Sequence, residues 1–202
     1  MFRTYRTLII FTVIVLGVYL IYNRMFGSTS SPSGPLDPDS YISEQMGFSI
    51  SFPDGWLLDQ YDKGEVVVFQ NYGLEVDNDL FLVAAFDPQN NEHDNSFSYV
   101  SVTVREMPYN MKLDYIFDDV VSWMKTDFNY FHEINREKII INNRDAWWID
   151  FTHKDEGILF KTRGYCLAKD SRAFLILCNA DPHTYSGLFT TFEQAINSFR
   201  VS

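Results

Sequence analysis

The first 26 residues constrain the chain most, because they contain a continuous apolar run. In residues 8–26 only Thr12, Asn23 and Arg24 are distinctly polar. As an α-helix this run is about 28 Å long, which matches the hydrocarbon core of a bilayer. A cleaved signal peptide is the competing interpretation, but it has a shorter apolar stretch followed by small residues at the cleavage site. The sequence therefore predicts a retained transmembrane helix.

The charges that flank this run predict its orientation. Arg3 and Arg6 precede it, and after Arg24 the next cation is Lys63. Because cytoplasmic flanks of membrane helices are enriched in Lys and Arg, the N-terminus is expected in the cytoplasm. The globular part is then expected to be periplasmic, lumenal or extracellular.

A linker follows the apolar run and divides the chain into three parts. Residues 27–40 are Gly, Ser, Thr, Pro or Asp at every position except Leu36. A flexible linker of this length and composition reaches roughly 20 Å. The predicted organisation is a cytoplasmic stub and membrane helix at 1–26, a tether at 27–40 and a globular domain at 41–202, held close to the bilayer.

The acidity of the chain is local and limits its partners. The formal net charge is −11, and residues 27–96 hold 13 acidic residues against Lys63 alone. Nucleic-acid affinity comes mainly from Lys and Arg that displace counterions from phosphates. Direct nucleic-acid binding is therefore excluded.

The periodicity of the globular part predicts an α+β fold. Alternating apolar residues and turn signals indicate strands, and apolar residues at i, i+3, i+4 and i+7 indicate a helix over residues 113–128. Asp181 and Pro182 are typical of a helix start, and a second helix follows them. Short connections favour an antiparallel sheet. The predicted strands cover residues 48–52, 66–69, 80–86, 98–106, 137–142, 146–152, 158–168 and 172–178.

The order of several short motifs resembles the PsbP-like family over residues 46–201. These motifs are FSISFPDGW, SVTVREMP, LDYIFDDVVSWMK, INNRDAWWIDF, YCLAKDSRAFLILCNA and FTTFEQAINSFRV. The resemblance implies an α-β-α sandwich around a central antiparallel sheet with two packed helices. It also implies a non-catalytic role, since the best-known members are extrinsic photosystem subunits on the lumenal side of the thylakoid membrane.

The sequence contains no common catalytic or cofactor motif. It lacks G-x-G-x-x-G, G-K-[ST], G-x-S-x-G and C-x-x-C. His132-Glu133 begins like a zinc-protease motif, but Arg136 stands where the second histidine would be. The four histidines lie in separate segments, and each is predicted to face solvent. They are His93, His132, His153 and His183. We therefore predict neither an enzyme nor a cofactor.

Acidic loops supply the low-ranking candidates for a metal site. Carboxylates at short spacing suit Ca²⁺, and the candidates are Asp77, Asp79, Asp87, Glu92 and Asp94. The run that starts at Asp77 breaks the EF-hand pattern at its fifth position and lacks the following glycine. No metal is therefore expected, and a solvated negative surface that faces a basic partner is favoured.

Cys166 and Cys178 are predicted to remain free thiols. If Asp170 and Ser171 form a two-residue turn, Cys166 is opposite Leu175 and the two cysteines lie on opposite faces of the sheet. A three-residue loop would restore the same face but leave them roughly 13 Å apart along the strand, beyond the reach of a disulfide. Both thiols are expected to be buried.

Two adjacent tryptophans complete the predicted interaction surface. Trp147 and Trp148 point to opposite faces of one strand, so both are core if helices cover both faces, and one is an exposed anchor otherwise. The partner-binding candidates are Trp147, Trp148, Glu75, Asp77 and Asp79.

These observations lead to one predicted function and one alternative. The prediction is a non-catalytic, membrane-tethered accessory or assembly subunit of an integral membrane complex of the photosynthetic or electron-transfer type. The alternative is an extracytoplasmic protein that binds a small ligand or Ca²⁺.

Overall fold

The computed structural model describes residues 40–61, 80–88, 98–107, 111–155 and 157–202. These residues form an α+β fold with ten strands and two helices. The strands are β1 (Ser40–Ser43), β2 (Phe48–Ser51), β3 (Leu57–Tyr61), β4 (Leu80–Phe86), β5 (Tyr99–Glu106), β6 (Asn129–Ile141), β7 (Arg144–Asp155), β8 (Ile158–Lys169), β9 (Arg172–Ala180) and β10 (Arg200–Val201). The helices are α1 (Leu113–Asp127) and α2 (Pro182–Ser198).

The strands form two antiparallel sheets. The larger sheet has seven described strands in the order β3-β4-β5-β9-β8-β7-β6, and the smaller has the order β1-β2-β10. Every pairing between described strands is antiparallel, as the short connections predicted. Among the described residues β6 is therefore an edge strand of the large sheet.

The two helices pack on opposite faces of the large sheet. One buried cluster joins α1 to Ile149, Phe151 and Cys166, and a second joins α2 and the small sheet to Tyr165, Phe174 and Cys178. The helices thus cover the two faces that strand alternation creates.

The small sheet closes the domain beside α2. Val201 of β10 pairs with Phe48 of β2, whose ring is fully buried. The backbone N–H of Ser51 donates to Ser198 Oγ at 2.7 Å, across 147 residues of sequence. Segments from the two ends of the described chain therefore meet in one layer.

Turn residues behave as their chemistry predicts. Asn142 and Asn143 have φ of 49° and 64°, as a tight hairpin between β6 and β7 requires. Asp181 caps α2, because its side chain accepts from the N–H of His183 at 2.8 Å. The Asn142 amide also donates to the carbonyl oxygen of Phe199 at 2.7 Å, which ties this hairpin to the end of α2.

Several boundaries differ from the prediction. β6 begins at Asn129 instead of residue 137, and β1, β3 and β10 were not predicted. Two register shifts near Asn129 and Glu133 break the two-residue period of β6, which is why its first half has no strand signal in the sequence. β1 begins at Ser40, the last residue of the predicted tether.

Other predictions fall outside the described residues. These are the apolar run at 8–26, most of the tether and the strand at 66–69. Neither of the two described helices combines the length and the apolar character that crossing a bilayer requires.

Candidate docking surface

The two tryptophans of β7 lie on opposite faces of the large sheet, and both are half-buried. Trp147 packs against the α1 cluster and Trp148 against the α2 cluster. Each face is covered by a helix, so neither indole is a freely exposed anchor. The side chains that contact Trp147 nevertheless differ from those that contact Trp148.

Trp147 is held between α1 and β6. Its ring stacks on Phe117 with centroids 4.7 Å apart and an interplanar angle of 4°. Its Nε1–H donates to Asp114 Oδ1 at 2.9 Å. On the other side, Lys138 Nζ lies 5.2 Å from the centroid of the Trp147 ring. The indole thus joins a helix to an edge strand.

Asp114 is the acceptor at the centre of this arrangement. Lys138 Nζ lies 2.7 Å from its Oδ1. The hydrogen bonds from Lys138 and Trp147 hold the pKa of Asp114 below its ordinary value, because both stabilise the carboxylate. At neutral pH the group is therefore an ionised carboxylate that already has two donors.

Exposed apolar side chains flank this polar centre. Tyr115 follows Asp114 on α1 and is 61% exposed, and Ile140 lies two residues beyond Lys138 on β6 and is 72% exposed. We call this group of five residues the Trp147 surface: Asp114, Tyr115, Lys138, Ile140 and Trp147. Apolar side chains around a positioned charge pair are typical of a protein interface.

The strand that carries Lys138 and Ile140 is suited to docking. From Arg136 to Ile141, β6 pairs with β7 in unbroken register. No strand lies on its outer side within the described part of the chain. An edge strand of this kind can pair with an extended segment of another chain.

Trp148 has a structural role instead. The Arg163 guanidinium lies 4.3 Å from the centroid of the Trp148 ring and 5.3 Å from that of Phe189 on α2. Arg163 also forms two hydrogen bonds with Asp150, at 2.6 and 2.7 Å. The Asp150 carboxylate raises the pKa of Arg163, so the guanidinium keeps its charge. This cluster fastens α2 to the sheet.

The acidic candidates remain predictions. Glu75, Asp77, Asp79, Glu92 and Asp94 lie outside the described residues. Asp87 follows β4, and its N–H donates to the carbonyl oxygen of Ser98 at 3.0 Å. No group of three potential metal ligands occurs among the described residues.

The prediction that every histidine faces solvent is wrong for His153. His132 and His183 are exposed, whereas His153 is 5% exposed, and His93 lies outside the described residues. The sequence contains a signal for this burial, because His153 follows Ile149 and Phe151 at a spacing of two residues and therefore lies on the same buried face of β7. His132 lies in β6.

His153 lies in an aromatic and polar pocket below the end of α1. Its Nε2 is 3.2 Å from Thr162 Oγ1 and 3.3 Å from Asn179 Oδ1. The Thr162 hydroxyl donates to that same Asn179 oxygen at 2.6 Å, so the neutral ring carries its proton on Nε2. Phe128 and Phe160 pack against the ring. Burial lowers the pKa of His153, because the charged form loses hydration.

The register of the cysteine hairpin is confirmed. Cys166 is opposite Leu175, and the two cysteines belong to the buried clusters on opposite faces of the sheet. Both are free and buried. Burial raises the pKa of Cys166 to about 12 and also raises that of Cys178.

We expect both thiols to be unreactive while the domain is folded. A thiolate is the reactive form, and burial suppresses both its formation and its access to reagent. Titration with an aromatic disulfide reagent should show no fast reaction in native buffer and two thiols per chain in denaturant. Fast reaction of either thiol at neutral pH in native buffer would contradict the assigned burial.

The geometry defines a PsbP-like fold, and the comparison with solved structures supports it. The solution structure of cyanobacterial PsbP from Synechocystis sp. PCC 6803 is similar with a TM-score of 0.56 and 14% identity, over 86% of this chain and 99% of that chain. LpqN of Mycobacterium tuberculosis, described as involved in cell envelope biogenesis, has a TM-score of 0.54 and 11% identity, over 90% and 95%. PA94 of Pseudomonas aeruginosa has a TM-score of 0.53 and 12% identity, over 79% of this chain and 93% of that chain.

These similarities concern the fold. At such identities a common backbone does not transfer a function. No protein-family model matches the sequence, and no curated protein matches it either.

Proposed function

We propose that the chain is a non-catalytic, membrane-tethered accessory or assembly subunit of an integral membrane protein complex. The observation that carries the proposal is the Trp147 surface, where exposed Ile140 and Tyr115 flank the ion pair between Asp114 of α1 and Lys138 of the edge strand β6. The motifs that resemble the PsbP-like family imply an accessory role, and the similar backbone of cyanobacterial PsbP agrees with the fold that those motifs imply.

The proposed attachment is the apolar run at residues 8–26, with the domain on the extracytoplasmic side. The run has the length of a membrane helix, and the arginines before it favour a cytoplasmic N-terminus. The linker at 27–40 then keeps the domain within roughly 20 Å of the bilayer. At that distance a membrane protein is always within reach, which raises the effective concentration of such a partner.

The proposed occupant of the surface is an extended extracytoplasmic segment of the partner, added as a strand to β6. Its backbone would pair with the regular half of β6, and its side chains would contact Ile140 on the α1 face. Glu137 points to the face opposite Lys138, whose ammonium is already paired with Asp114, so a segment that presents a cation on the Glu137 face would be complementary.

The proposed class of partner is a photosynthetic or electron-transfer complex. This choice comes from the similarity to cyanobacterial PsbP, whereas the similarity to LpqN supports a complex of the cell envelope as the competing class. Identification of the captured membrane subunit distinguishes the two classes.

Ile140→Arg is expected to weaken partner binding about tenfold, because it places a charge in the centre of the contact at a cost of about 1.4 kcal/mol or more. Since Ile140 is 72% exposed, the change should leave the melting temperature almost unaltered. The measurement is quantitative mass spectrometry of the complex recovered with the full chain in mild detergent.

Ile42→Arg is the matched control, because Ile42 is 50% exposed on β1 in the other sheet. A photo-crosslinking residue at position 140 should label a membrane subunit, whereas one at position 42 should not. Equal recovery of the complex with both variants, or a chain that is extracted as a lone monomer, would refute the docking role.

A further inference from the structure

A second surface lies on the α2 face, at the end of the sheet where β6 and β8 begin. Leu159 of β8 is paired with Lys154 of β7, so their side chains leave the same face. Lys161 follows two residues after Leu159 on that face and lies over the Tyr185 ring of α2. We call this group the Lys154 patch: Tyr130, Lys154, Leu159, Lys161 and Phe189.

Both lysines of the patch are held against tyrosine rings. Lys154 Nζ is 5.0 Å from the centroid of the Tyr130 ring, and Lys161 Nζ is 4.6 Å from that of Tyr185. Neither has a carboxylate within 4.0 Å among the described residues, in contrast to Lys138, which pairs with Asp114. The ammonium groups are therefore positioned but not neutralised. Asp155, the acid next to Lys154, leaves the opposite face of β7.

Large apolar side chains lie on the same side as these cations: Tyr130 contacts Lys154, Leu159 is paired with Lys154, and Phe189 lies one turn after Tyr185 on α2. Tyr130 is 79% exposed, Leu159 43% and Phe189 39%. Tyr130 has a φ of 55° and lies at a register shift between β6 and β7, so the local backbone geometry turns its ring outward from the regular ladder. Exposed rings beside lysines are the chemistry of membrane–water interfaces, where the ring enters the headgroup layer and the ammonium meets lipid phosphate.

We propose that the Lys154 patch binds the anionic headgroup surface of the bilayer. This inference rests on the proposed membrane tether, which keeps the domain within reach of that surface. Each lysine near an anionic surface strengthens membrane binding about fivefold, and this attraction acts over a Debye length of about 8–10 Å.

Charge complementarity favours lipid as the occupant. The chain carries a net charge of −11, so as a whole it is repelled by anionic lipid. Lys154 and Lys161 pair with no carboxylate in the part of the chain that the structure describes, and with three exposed apolar side chains they form a local exception on this acidic chain. The patch would set the orientation of the domain, because it allows only one side of the α2 face to approach the bilayer. The Trp147 surface on the α1 face then remains available to a protein partner.

The test uses the full chain in nanodiscs of phosphatidylcholine alone or mixed with phosphatidylglycerol. A polarity-sensitive dye is attached through His183→Cys, on the first turn of α2 beside Tyr185, while the native thiols are buried. The emission of the dye should shift to the blue in anionic discs and stay unshifted in neutral ones. Lys154→Glu with Lys161→Glu should abolish the shift, and Tyr130→Ser should reduce it.

Lys112→Glu with Lys169→Glu is the matched control, because it makes the same change of charge outside the patch. An equal loss of the shift in both double variants, or no shift in anionic discs, would overturn the proposal. A shift that appears only when a protein complex is reconstituted with the chain would also overturn it, in favour of a protein partner.

Failure of the tether gives a different result. A chain that does not co-elute with either disc lacks the proposed membrane helix. Anionic vesicles added to that chain then test the patch alone, since a blue shift supports lipid binding and an unchanged spectrum refutes it.

Discussion

Asp150→Ala is expected to lower the free energy of unfolding by about 3 kcal/mol, because it removes both hydrogen bonds of a largely buried guanidinium and leaves only the Glu193 carboxylate, 3.9 Å away. Asp150 and Arg163 retain only 11% and 19% side-chain exposure, and they are joined by two short hydrogen bonds. The same guanidinium contacts Trp148 on the sheet and Phe189 on α2. Loss of the carboxylate therefore loosens the contact of α2 with the sheet. Chemical denaturation monitored by circular dichroism measures the effect.

An exposed pair and a double replacement provide the controls. Glu106 and Arg172 form an ion pair at 3.5 Å with 44% and 34% exposure, so Glu106→Ala should cost less than about 1 kcal/mol. Combining Asp150→Leu with Arg163→Met removes both charges and should restore most of the stability. If Asp150→Ala and Glu106→Ala lower the free energy of unfolding equally, the buried pair does not fasten α2 to the sheet.

The free energy of unfolding of the domain is expected to decrease as the pH is lowered below about 6.5. His153 alone contributes at most about 1.4 kcal/mol per pH unit to this decrease. Burial lowers the pKa of His153 in the folded state, whereas the unfolded chain binds the proton near the ordinary value. Between these two pKa values the unfolded state holds more protons, so acidification favours it. Above the unfolded pKa the contribution is constant. No described residue accepts a hydrogen bond from Nδ1, so the protonated ring would also bury an unpaired N–H.

The measurement is the difference in unfolding free energy between the wild type and His153→Gln. This difference isolates the contribution of His153, because all other titratable groups are present in both proteins. This difference should shrink as the pH is lowered from about 7 to about 5. His132→Gln is the matched control, since His132 is exposed on β6 and should leave the pH dependence unchanged. A wild-type profile parallel to that of His153→Gln would contradict the lowered pKa.

Local periodicity was sufficient for the helices and for the strands that pair through short turns. The apolar stripe of α1 and the Asp181-Pro182 start of α2 appear in the structure where the residues placed them. The β8–β9 register is that of the two-residue turn at Asp170 and Ser171, one of the two loop lengths that the sequence left open, because the length of the turn fixes every pair beyond it. These features depend on neighbours in sequence.

The remaining elements depend on distant partners. β3 reads LLDQY without alternation, and it is defined by its pairing with β4. β10 has two residues, and it is a strand only because β2 lies beside it. The Trp147 surface likewise needs Asp114 and Trp147, 33 residues apart, to meet across a helix and a sheet. The sequence predicted the tryptophan but not its partners.

The closure of β2 by β10 has a consequence for how the domain is made. During synthesis β2 emerges long before its partners, because the strand that covers its second edge and the Ser198 hydroxyl that bonds Ser51 lie 147 or more residues further along the chain. Contacts of such long range form slowly, and an open edge can pair with the wrong strand in the meantime. A nascent chain of this protein therefore exposes one edge of β2 until β10 has been synthesised.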